Sequence, residues 1–552
     1  MMRLKCKRLN PDGNLKAFDG EKENQEPRNC ICQILQKLSY SGHASSYLQY
    51  AISIFRILKS NAMKRKLVIS AFLIAVSILF IKCSSTTKPT AKVDNPTYDA
   101  AIEQRISRIM NNLQVETPVE AQFTSDNIYH RLKYYHTPGV SVAVINDGKI
   151  EWARGFGVSD PDGKDSVDTH TLFEAGSVSK PVFALTVMKL KQDGVVDLDK
   201  DVNQYLKSWK VPAVNNWQPV LTLRQLMSHT AGTNVHGFPG YRTTEKIPTV
   251  PQVLSGTEPT NTPAVVVNTM PGTQFRYSGG GVTIAQLTVT DLLGKPFPQI
   301  VREKLFDPLN LPTSTYEQPI PDSKKDHAST AFPWKGTPIP GGAHVYPEMA
   351  AAGLWTNPTE LATLAIEVQK AVAGKSTFYK KETIDEMLTP QKVMQGIGIG
   401  FFLDSKGDST RFSHNGWDEG FVALLVAYKK LGKGVVIMVN SNEGYSIMDE
   451  IAKAVAKEYN WPDYLPTERK KSSEATTGKN YSGSYYNKDS IEMKIVMVNN
   501  QPQLIYQRQN PLPLEYSSDK YYYSPGMNFK IQLSEKELKF EQGGDSQVYT
   551  RR

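Results

Sequence analysis

Three serines in this chain are followed three residues later by a lysine, a spacing that can pair a hydroxyl with an amine. They are Ser85 with Lys88, Ser177 with Lys180, and Ser517 with Lys520. Of these serines, only Ser177 opens a long apolar run with helical spacing, and Pro181 suits the first turn of a helix. The helix is therefore expected to begin close to Ser177, with the Lys180 amine on the same face as the hydroxyl.

A hydroxyl and an amine placed in this way can perform acyl transfer. A serine hydroxyl is a poor nucleophile at neutral pH until a base within hydrogen-bond reach accepts its proton. Lys180 can be that base when it is neutral, and burial disfavours the charged form of an amine. Backbone N–H groups at the helix start can face a developing oxyanion. The simpler interpretation of Ser177 is that of a helix N-cap.

The elements around this pair predict an antiparallel sheet. Val140, Val142 and Val144 alternate with small residues, and the turn residues at 146–148 connect them to a second extended segment at 150–153, which is typical of a β-hairpin. Three more extended segments follow much later, at 410–414, 420–428 and 435–440.

The segments between these strands are predicted to be helical. Apolar spacing indicates helices at 177–192, 221–229, 282–293 and 358–372, with a closing helix at 445–459. We therefore expect an α+β fold, with an antiparallel sheet built from both ends of one domain, flanked by helices and carrying a helical insertion. A tyrosine-rich C-terminal stretch of alternating β-formers predicts a small all-β module. The expected boundaries are 84–95 for a linker, 96–462 for the α+β domain, 463–480 for a second linker and 481–552 for the β module.

Two further motifs follow the serine in a recognisable order. Tyr277 begins a Tyr-Ser-Gly sequence, and His414-Asn415-Gly416 lies 137 residues beyond it. Together with the Ser-x-x-Lys motif, they resemble the three motifs of the serine β-lactamase and penicillin-binding-protein family, in particular its class C β-lactamase, esterase and D-peptidase branch. Supporting segments that resemble the family lie at 221–232, 305–309 and 351–355, so that the resemblance covers roughly residues 96–460.

The resemblance implies a role for each motif residue. Ser177 would form the acyl-enzyme with Lys180 as its base. Tyr277 would exchange protons with the lysine and pass one to the leaving group, while His414 would polarise the tyrosine or orient substrate. The backbone N–H groups of Ser177 and Trp417 would bind the oxyanion.

The sequence departs from the family pattern at two of these motifs. Gly279 stands where β-lactamases usually have asparagine, and His414 replaces the lysine with which penicillin-binding proteins hold a carboxylate. Both changes favour the esterase or peptidase-like members over a true β-lactamase. The simpler interpretations are a packed core tyrosine for Tyr277 and a structural strand histidine for His414. His229 is interpreted as structural, because it belongs to a helix-to-loop segment and is not expected to lie near the three motifs.

The charge of the chain is concentrated at its N-terminus. Residues 1–82 carry 14 basic and 5 acidic side chains, so the whole net charge of +9 lies there and the remainder is neutral. A neutral body lacks the basic field that nucleic-acid binding requires. No His, Asp or Glu cluster shows metal-ligand spacing, and the four cysteines all lie in residues 1–83, which indicates no metal, cofactor or disulfide in the body.

The same N-terminal stretch predicts export. A basic cluster at 63–66, an apolar run at 67–81 and then Cys83 have the order of a signal peptide, and Cys83 is expected to be lipidated as in bacterial lipoproteins. Lys82 departs from the small residue usual before such a cysteine, and the alternative is an uncleaved anchor helix at 63–83. Either alternative gives a periplasmic or membrane-anchored body. Residues 1–62 are interpreted as an over-extended reading frame or a disordered segment.

The sequence thus predicts an exported, metal-free serine hydrolase that acts on a small molecule or peptide. Its substrate would be an ester or amide, such as a D-amino-acid peptide of cell-wall type or a β-lactam. The alternative is a catalytically weak protein that binds peptidoglycan or peptides on the same scaffold. The sequence does not indicate an oligomeric state.

Overall fold

A computed structural model describes two short pieces of the N-terminal region and most of the chain beyond residue 94. The described residues are 8–9, 15–16, 95–114, 125–404, 407–465, 472, 481–488, 490–499, 501–506, 511–524, 529–542 and 545–551. The predicted leader at 63–83, with Cys83, lies outside the described residues. Within 1–62, the structure describes an antiparallel pair of two-residue strands, Arg8–Leu9 and Leu15–Lys16. Within the described part of the chain, no helix has the length and apolarity needed to cross a membrane.

Six antiparallel strands form the central sheet. In chain order they are β1 (Gly139–Asn146), β2 (Lys149–Gly157), β3 (Phe402–Asp404), β4 (Arg411–Asp418), β5 (Phe421–Tyr428) and β6 (Gly434–Val439). Their order across the sheet is β2-β1-β6-β5-β4-β3, which confirms a sheet built from two distant parts of the sequence. The β1–β2 turn has Asp147 and Gly148 at positive φ, as a tight hairpin turn requires.

Helices fill the sequence between β2 and β3 and flank the sheet at both ends. They are α1 (Ala100–Met110), α2 (Ile128–Tyr134), α3 (Ser179–Gln192), α4 (Leu223–Met227), α5 (Val250–Ser255), α6 (Gly279–Leu293), α7 (Phe297–Val301), α8 (Asp322–Lys325), α9 (Met349–Ala352), α10 (Pro358–Val372), α11 (Lys381–Met387) and α12 (Tyr445–Glu458). A π-helix, Arg302–Phe306, continues α7, and 3₁₀ turns lie at Gly176–Val178, Val202–Gln204, Gly407–Ser409 and Asn442–Gly444. Two-residue strands pair Leu113–Gln114 with Ser125–Asp126, and Phe173–Glu174 with Trp355–Thr356.

The alternation of side chains along the strands gives the domain two cores. Val140, Val142 and Val144 pack with α1 and α12 on one face of the sheet. Ala143 and Ile145 point to the other face, where they join the larger core formed with the helical insertion. The sheet is therefore sandwiched between two helical layers, and the predicted α+β class is confirmed.

The C-terminal residues form an all-β sheet with its own core. Its strands are β7 (Gly483–Tyr486), β8 (Glu492–Val498), β9 (Gln501–Tyr506), β10 (Leu512–Pro513), β11 (Glu515–Tyr516), β12 (Tyr522–Tyr523), β13 (Phe529–Leu533), β14 (Glu537–Gln542) and β15 (Asp545–Arg551). Their order is β10-β9-β8-β7-β15-β14-β13-β12-β11, and Tyr485, Ile495 and Ile531 are among the residues buried in this core. The predicted all-β module is confirmed.

Candidate active site

Ser177 lies in the 3₁₀ turn Gly176–Val178, which leads directly into α3. Two hydrogen bonds to the buried Ser179 fix this junction. The Leu354 N–H donates to Ser179 Oγ (3.0 Å), and the Tyr316 hydroxyl donates to the Ser179 carbonyl oxygen (2.6 Å). Because both partners come from the helical insertion, the rest of the domain holds the turn in place before any substrate binds.

Lys180 lies one turn away from Ser177 and reaches it. The Lys180 Nζ atom forms a 2.8 Å hydrogen bond with Ser177 Oγ and donates to the Ala351 carbonyl oxygen at 2.7 Å. Only 4% of the Lys180 surface is exposed, so water cannot compete for this amine as it would on the protein surface. The arrangement can pass a proton from the hydroxyl to the amine.

Tyr277 lies beside the Lys180 amine, just before α6. The Lys180 Nζ atom is 5.1 Å from the centroid of the tyrosine ring. Ser278, the next residue, caps α6 by accepting from the Gly281 N–H (3.0 Å), and its hydroxyl donates to the Val235 carbonyl oxygen (2.7 Å). Ser278 thus anchors the backbone directly after Tyr277.

Two histidines from the loop after α4 pack against Tyr277. The ring centroids of His229 and His236 lie 4.2 and 4.9 Å from that of the tyrosine. The interpretation of His229 as remote from the motifs was therefore wrong, because the chain folds back and the Ser278 N–H donates to His229 Nδ1 (3.2 Å). The sequence offered one signal for these site residues: two histidines lie seven residues apart in a chain that has only nine histidines.

His414 lies on β4 with its ring centroid 6.2 Å from that of Tyr277. Its Nδ1 is 2.6 Å from the Asn415 carbonyl oxygen, which can only accept, so Nδ1 carries the proton. Burial, reinforced by the charge of Lys180, lowers the pKa of His414 to about 3. The side chain is therefore a neutral imidazole at physiological pH and cannot hold a carboxylate by charge.

Gly416 and Trp417 bring β4 against the serine turn. A Cβ atom on Gly416 would overlap the Ala175 carbonyl oxygen, and one on Gly176 would lie 2.5 Å from the Trp417 nitrogen. Gly176 also has a φ of +50°, which favours glycine. The two glycines allow the two backbones to touch, which brings the Ser177 and Trp417 N–H groups onto neighbouring segments.

All six predicted site residues of the domain line one cleft. The cleft measures about 690 Å³ and contains Ser177, Lys180, Tyr277, His414, Gly416 and Trp417. Sequence reasoning missed several other lining residues, among them Phe238, Phe402, Glu419 and Tyr445. Within the described part of the chain, no group of His, Cys, Asp and Glu side chains is arranged to hold a metal ion.

Three buried carboxyl groups lie behind the serine. Glu174 precedes it by three residues, Asp418 follows Trp417, and Glu348 begins the segment that carries Ala351. Burial raises the pKa of Glu348 to about 8, and burial together with the neighbouring Glu174 charge raises that of Asp418. These groups retain protons at a pH where an exposed carboxyl would be ionised.

We expect Glu348→Gln to change how stability depends on pH. Between pH 4.5 and 8 the folded wild type keeps the Glu348 proton while the unfolded chain releases it, so the free energy of unfolding falls by up to about 1.4 kcal/mol per pH unit. Glutamine has nearly the same shape as glutamate but does not ionise, so the Glu348→Gln protein should lack this part of the pH dependence. Urea unfolding at pH 5 and pH 8 measures the free energy of unfolding of the wild type and of Glu348→Gln. An equal fall between the two pH values in both proteins would contradict the prediction.

The fold and the cleft together define a class of protein. An antiparallel sheet between two helical layers, with a Ser-x-x-Lys turn packed against one strand, is the architecture of β-lactamase and transpeptidase-like serine hydrolases. The sequence model of the Beta-lactamase family matches residues 102–459, well over half of the chain, and the chain belongs to that family.

The individual relatives are distant. Protein flp of Staphylococcus aureus (strain N315) is 23% identical over 341 residues, which cover 58% of this chain and 62% of that protein. The chain therefore spans less than two thirds of the length of flp. Penicillin-binding protein 4* of Bacillus subtilis (strain 168) is 19% identical over 441 residues, which cover 74% of this chain and 92% of that protein.

A solved structure shares the fold. The octameric penicillin-binding protein homologue from Pyrococcus abyssi aligns with a TM-score of 0.53 at 18% identity and covers 76% of this chain and 98% of that one. At this level of identity, the likeness is one of fold.

Proposed function

We propose that this protein hydrolyses an ester or amide through an acyl-enzyme on Ser177. The observation that carries the proposal is the 2.8 Å hydrogen bond between Ser177 Oγ and the buried Lys180 amine. In the neutral form of the lysine, the hydroxyl donates to the amine, and the oxygen gains nucleophilicity as the proton leaves.

The other cleft residues supply the remaining steps. As Ser177 attacks, the substrate carbonyl oxygen becomes an oxyanion, which the N–H groups of Ser177 and Trp417 can bind. The Tyr277 ring lies next to the Lys180 amine, and its hydroxyl would transfer the proton to the leaving group. A water molecule then attacks the acyl-enzyme by the same route in reverse and releases the acid.

The surroundings of Tyr277 favour an ester or peptide over a β-lactam. A Cβ atom on Gly279 would lie 3.0 Å from Phe238 Cε2, so the aromatic ring occupies the space beside this position. Where β-lactamases usually have an asparagine side chain, this chain therefore has an apolar ring beside a glycine. We propose a D-amino-acid peptide or a related ester as substrate.

The N-terminal sequence bears on the location of the protein. The basic cluster, the apolar run and Cys83 support a proposal that the domain is exported and attached to a membrane by a lipid or an anchor helix.

Hydrolysis of p-nitrophenyl acetate tests the proposed activity. We expect turnover well above that of the Ser177→Ala protein, which defines the background because it keeps the fold but lacks the nucleophile. Equal rates for the two proteins would contradict the proposal and favour a protein that only binds its ligand.

A further inference from the structure

One wall of the cleft presents a regular row of side chains. Along the end of β4, the alternation of a strand buries His414, Gly416 and Asp418 and leaves Asn415 and Trp417 exposed, and Glu419, in the turn directly after the strand, is half-buried. Trp417 and Glu419 both line the cleft. Because Glu419 follows Trp417 by two residues, their Cα atoms are at most about 7.6 Å apart, which is about one amino-acid length.

Glu419 is held in this position rather than left to move in solvent. Its Oε1 atom accepts from Asn442 Nδ2 (3.3 Å), and the same amide also donates to the Pro333 carbonyl oxygen (3.0 Å). The oxygen of that amide accepts from the Gly420 N–H (2.8 Å). The half-buried carboxylate is thus part of a fixed network at the edge of the cleft.

Two aromatic rings border the same wall. Trp417 is 52% exposed and Tyr445, at the start of α12, is 53% exposed, and both line the cleft. Asn415 Nδ2 donates to the Tyr445 hydroxyl at 3.4 Å, which connects the helix to the row on the strand. Large exposed aromatic faces next to a carboxylate attract cations.

The charges of the cleft favour a cation there. Among the described residues that line it, Lys180 is the only lysine or arginine, and it is buried in contact with Ser177 and Ala351. Burial lowers the pKa of both His236 and His414, so neither adds positive charge near neutral pH. A carboxylate on the substrate would find no cation on this wall, and Glu419 would repel it.

We propose that Glu419, Trp417 and Tyr445 form a subsite for a free ammonium group carried by the substrate close to the reacting carbonyl. The inference rests on the proposed function and narrows it to amino-acid esters or amides with a free amine. It disfavours substrates whose carboxylate lies at that position.

Inhibition of p-nitrophenyl acetate hydrolysis measures the preference for a positively charged group, whether or not the inhibitor is itself cleaved. The inhibitors are alanine anilide, which is positively charged, N-acetylalanine anilide, which is neutral, and N-succinylalanine anilide, which is negatively charged. Each would be used in its D and L forms. We expect the cationic anilide to inhibit about fivefold to tenfold more strongly than the acetylated one in at least one enantiomer. The succinylated one should be weakest, and added salt should shrink the differences.

Glu419→Gln should remove most of this advantage and leave inhibition by the neutral anilide unchanged, whereas Glu419→Asp should retain part of it. Glu443→Gln is the matched control, because Glu443 directly follows Asn442, the hydrogen-bond partner of Glu419, but does not line the cleft. Equal inhibition by the cationic and neutral anilides, or an unchanged preference in Glu419→Gln, would overturn the subsite and leave the hydrolase intact. Absence of any esterase activity would instead contradict the proposed function, and the subsite with it.

Discussion

Replacing Lys180 with methionine should lower kcat/KM for p-nitrophenyl acetate by about 10²- to 10⁴-fold, the range that general acid–base catalysis contributes. Methionine matches the length of the buried part of the lysine but cannot accept a proton from Ser177. The hydrogen bonds to Ser177 Oγ and to the Ala351 carbonyl oxygen are lost together. We expect the loss mainly in kcat, because the amine acts in the transition state rather than in substrate binding.

Lys189→Met is the matched control for this substitution. Lys189 lies on the same helix and pairs with Asp193, away from the cleft. The Lys189→Met protein should retain wild-type activity, and thermal unfolding of both variants would show whether each keeps its fold. A Lys180→Met protein that remains folded and loses less than about tenfold would show that the amine is not the base.

Gly416→Ala should reduce kcat by about 10²- to 10³-fold, comparable to the loss of an oxyanion donor. The added methyl group would overlap the Ala175 carbonyl oxygen, so β4 and the serine turn must separate. Because the Trp417 N–H is on the displaced segment, its geometry toward the oxyanion changes. Steady-state kinetics should show KM altered much less than kcat.

Gly237→Ala provides the control at the same cleft. Gly237 also lines it, but a Cβ atom there meets no atom within 4 Å. This variant should keep activity within a few-fold of wild type. If Gly416→Ala were fully active at an unchanged melting temperature, the contact between β4 and the serine turn would have no part in catalysis.

Local signals were enough to predict the serine turn and five of the six strands of the central sheet. Pro181 restricts the start of α3 to within a few residues of Ser177, since proline fits only the first helical turn. The Asp147-Gly148 turn and the alternating valines determine the hairpin in the same way. These features depend on neighbours in sequence. The structure differs in placing a 3₁₀ turn before the helix and in adding the edge strand β3, which was not predicted.

The surroundings of the tyrosine could not be predicted locally. His229 and His236 reach Tyr277 because backbone hydrogen bonds join two loops more than 40 residues apart, from the Arg276 N–H to the His229 carbonyl oxygen (2.7 Å) and from the Gly279 N–H to that of His236 (2.9 Å). A pattern of helical or strand spacing carries no information about such loop pairing.

The buried carboxyl groups were equally hidden in the sequence. Glu174 is an ordinary acidic residue in sequence, and its burial results from the pairing of its strand with Trp355, 181 residues later. Its hydrogen bond from Gln318 Nε2 (3.2 Å) is likewise long-range. Burial of a carboxyl group is a property of the assembled domain, so it appears only once the strands are placed.

Intact-mass measurement after exposure to a fluorophosphonate tests the central claim most directly, since the reagent forms a stable adduct with an activated serine. We expect the wild-type protein to gain the mass of one phosphonyl group, peptide mapping to place it on Ser177, and the Ser177→Ala protein to gain nothing. A folded wild-type protein that gains no mass, or one labelled equally after Ser177→Ala, would contradict the assignment of Ser177 as the nucleophile.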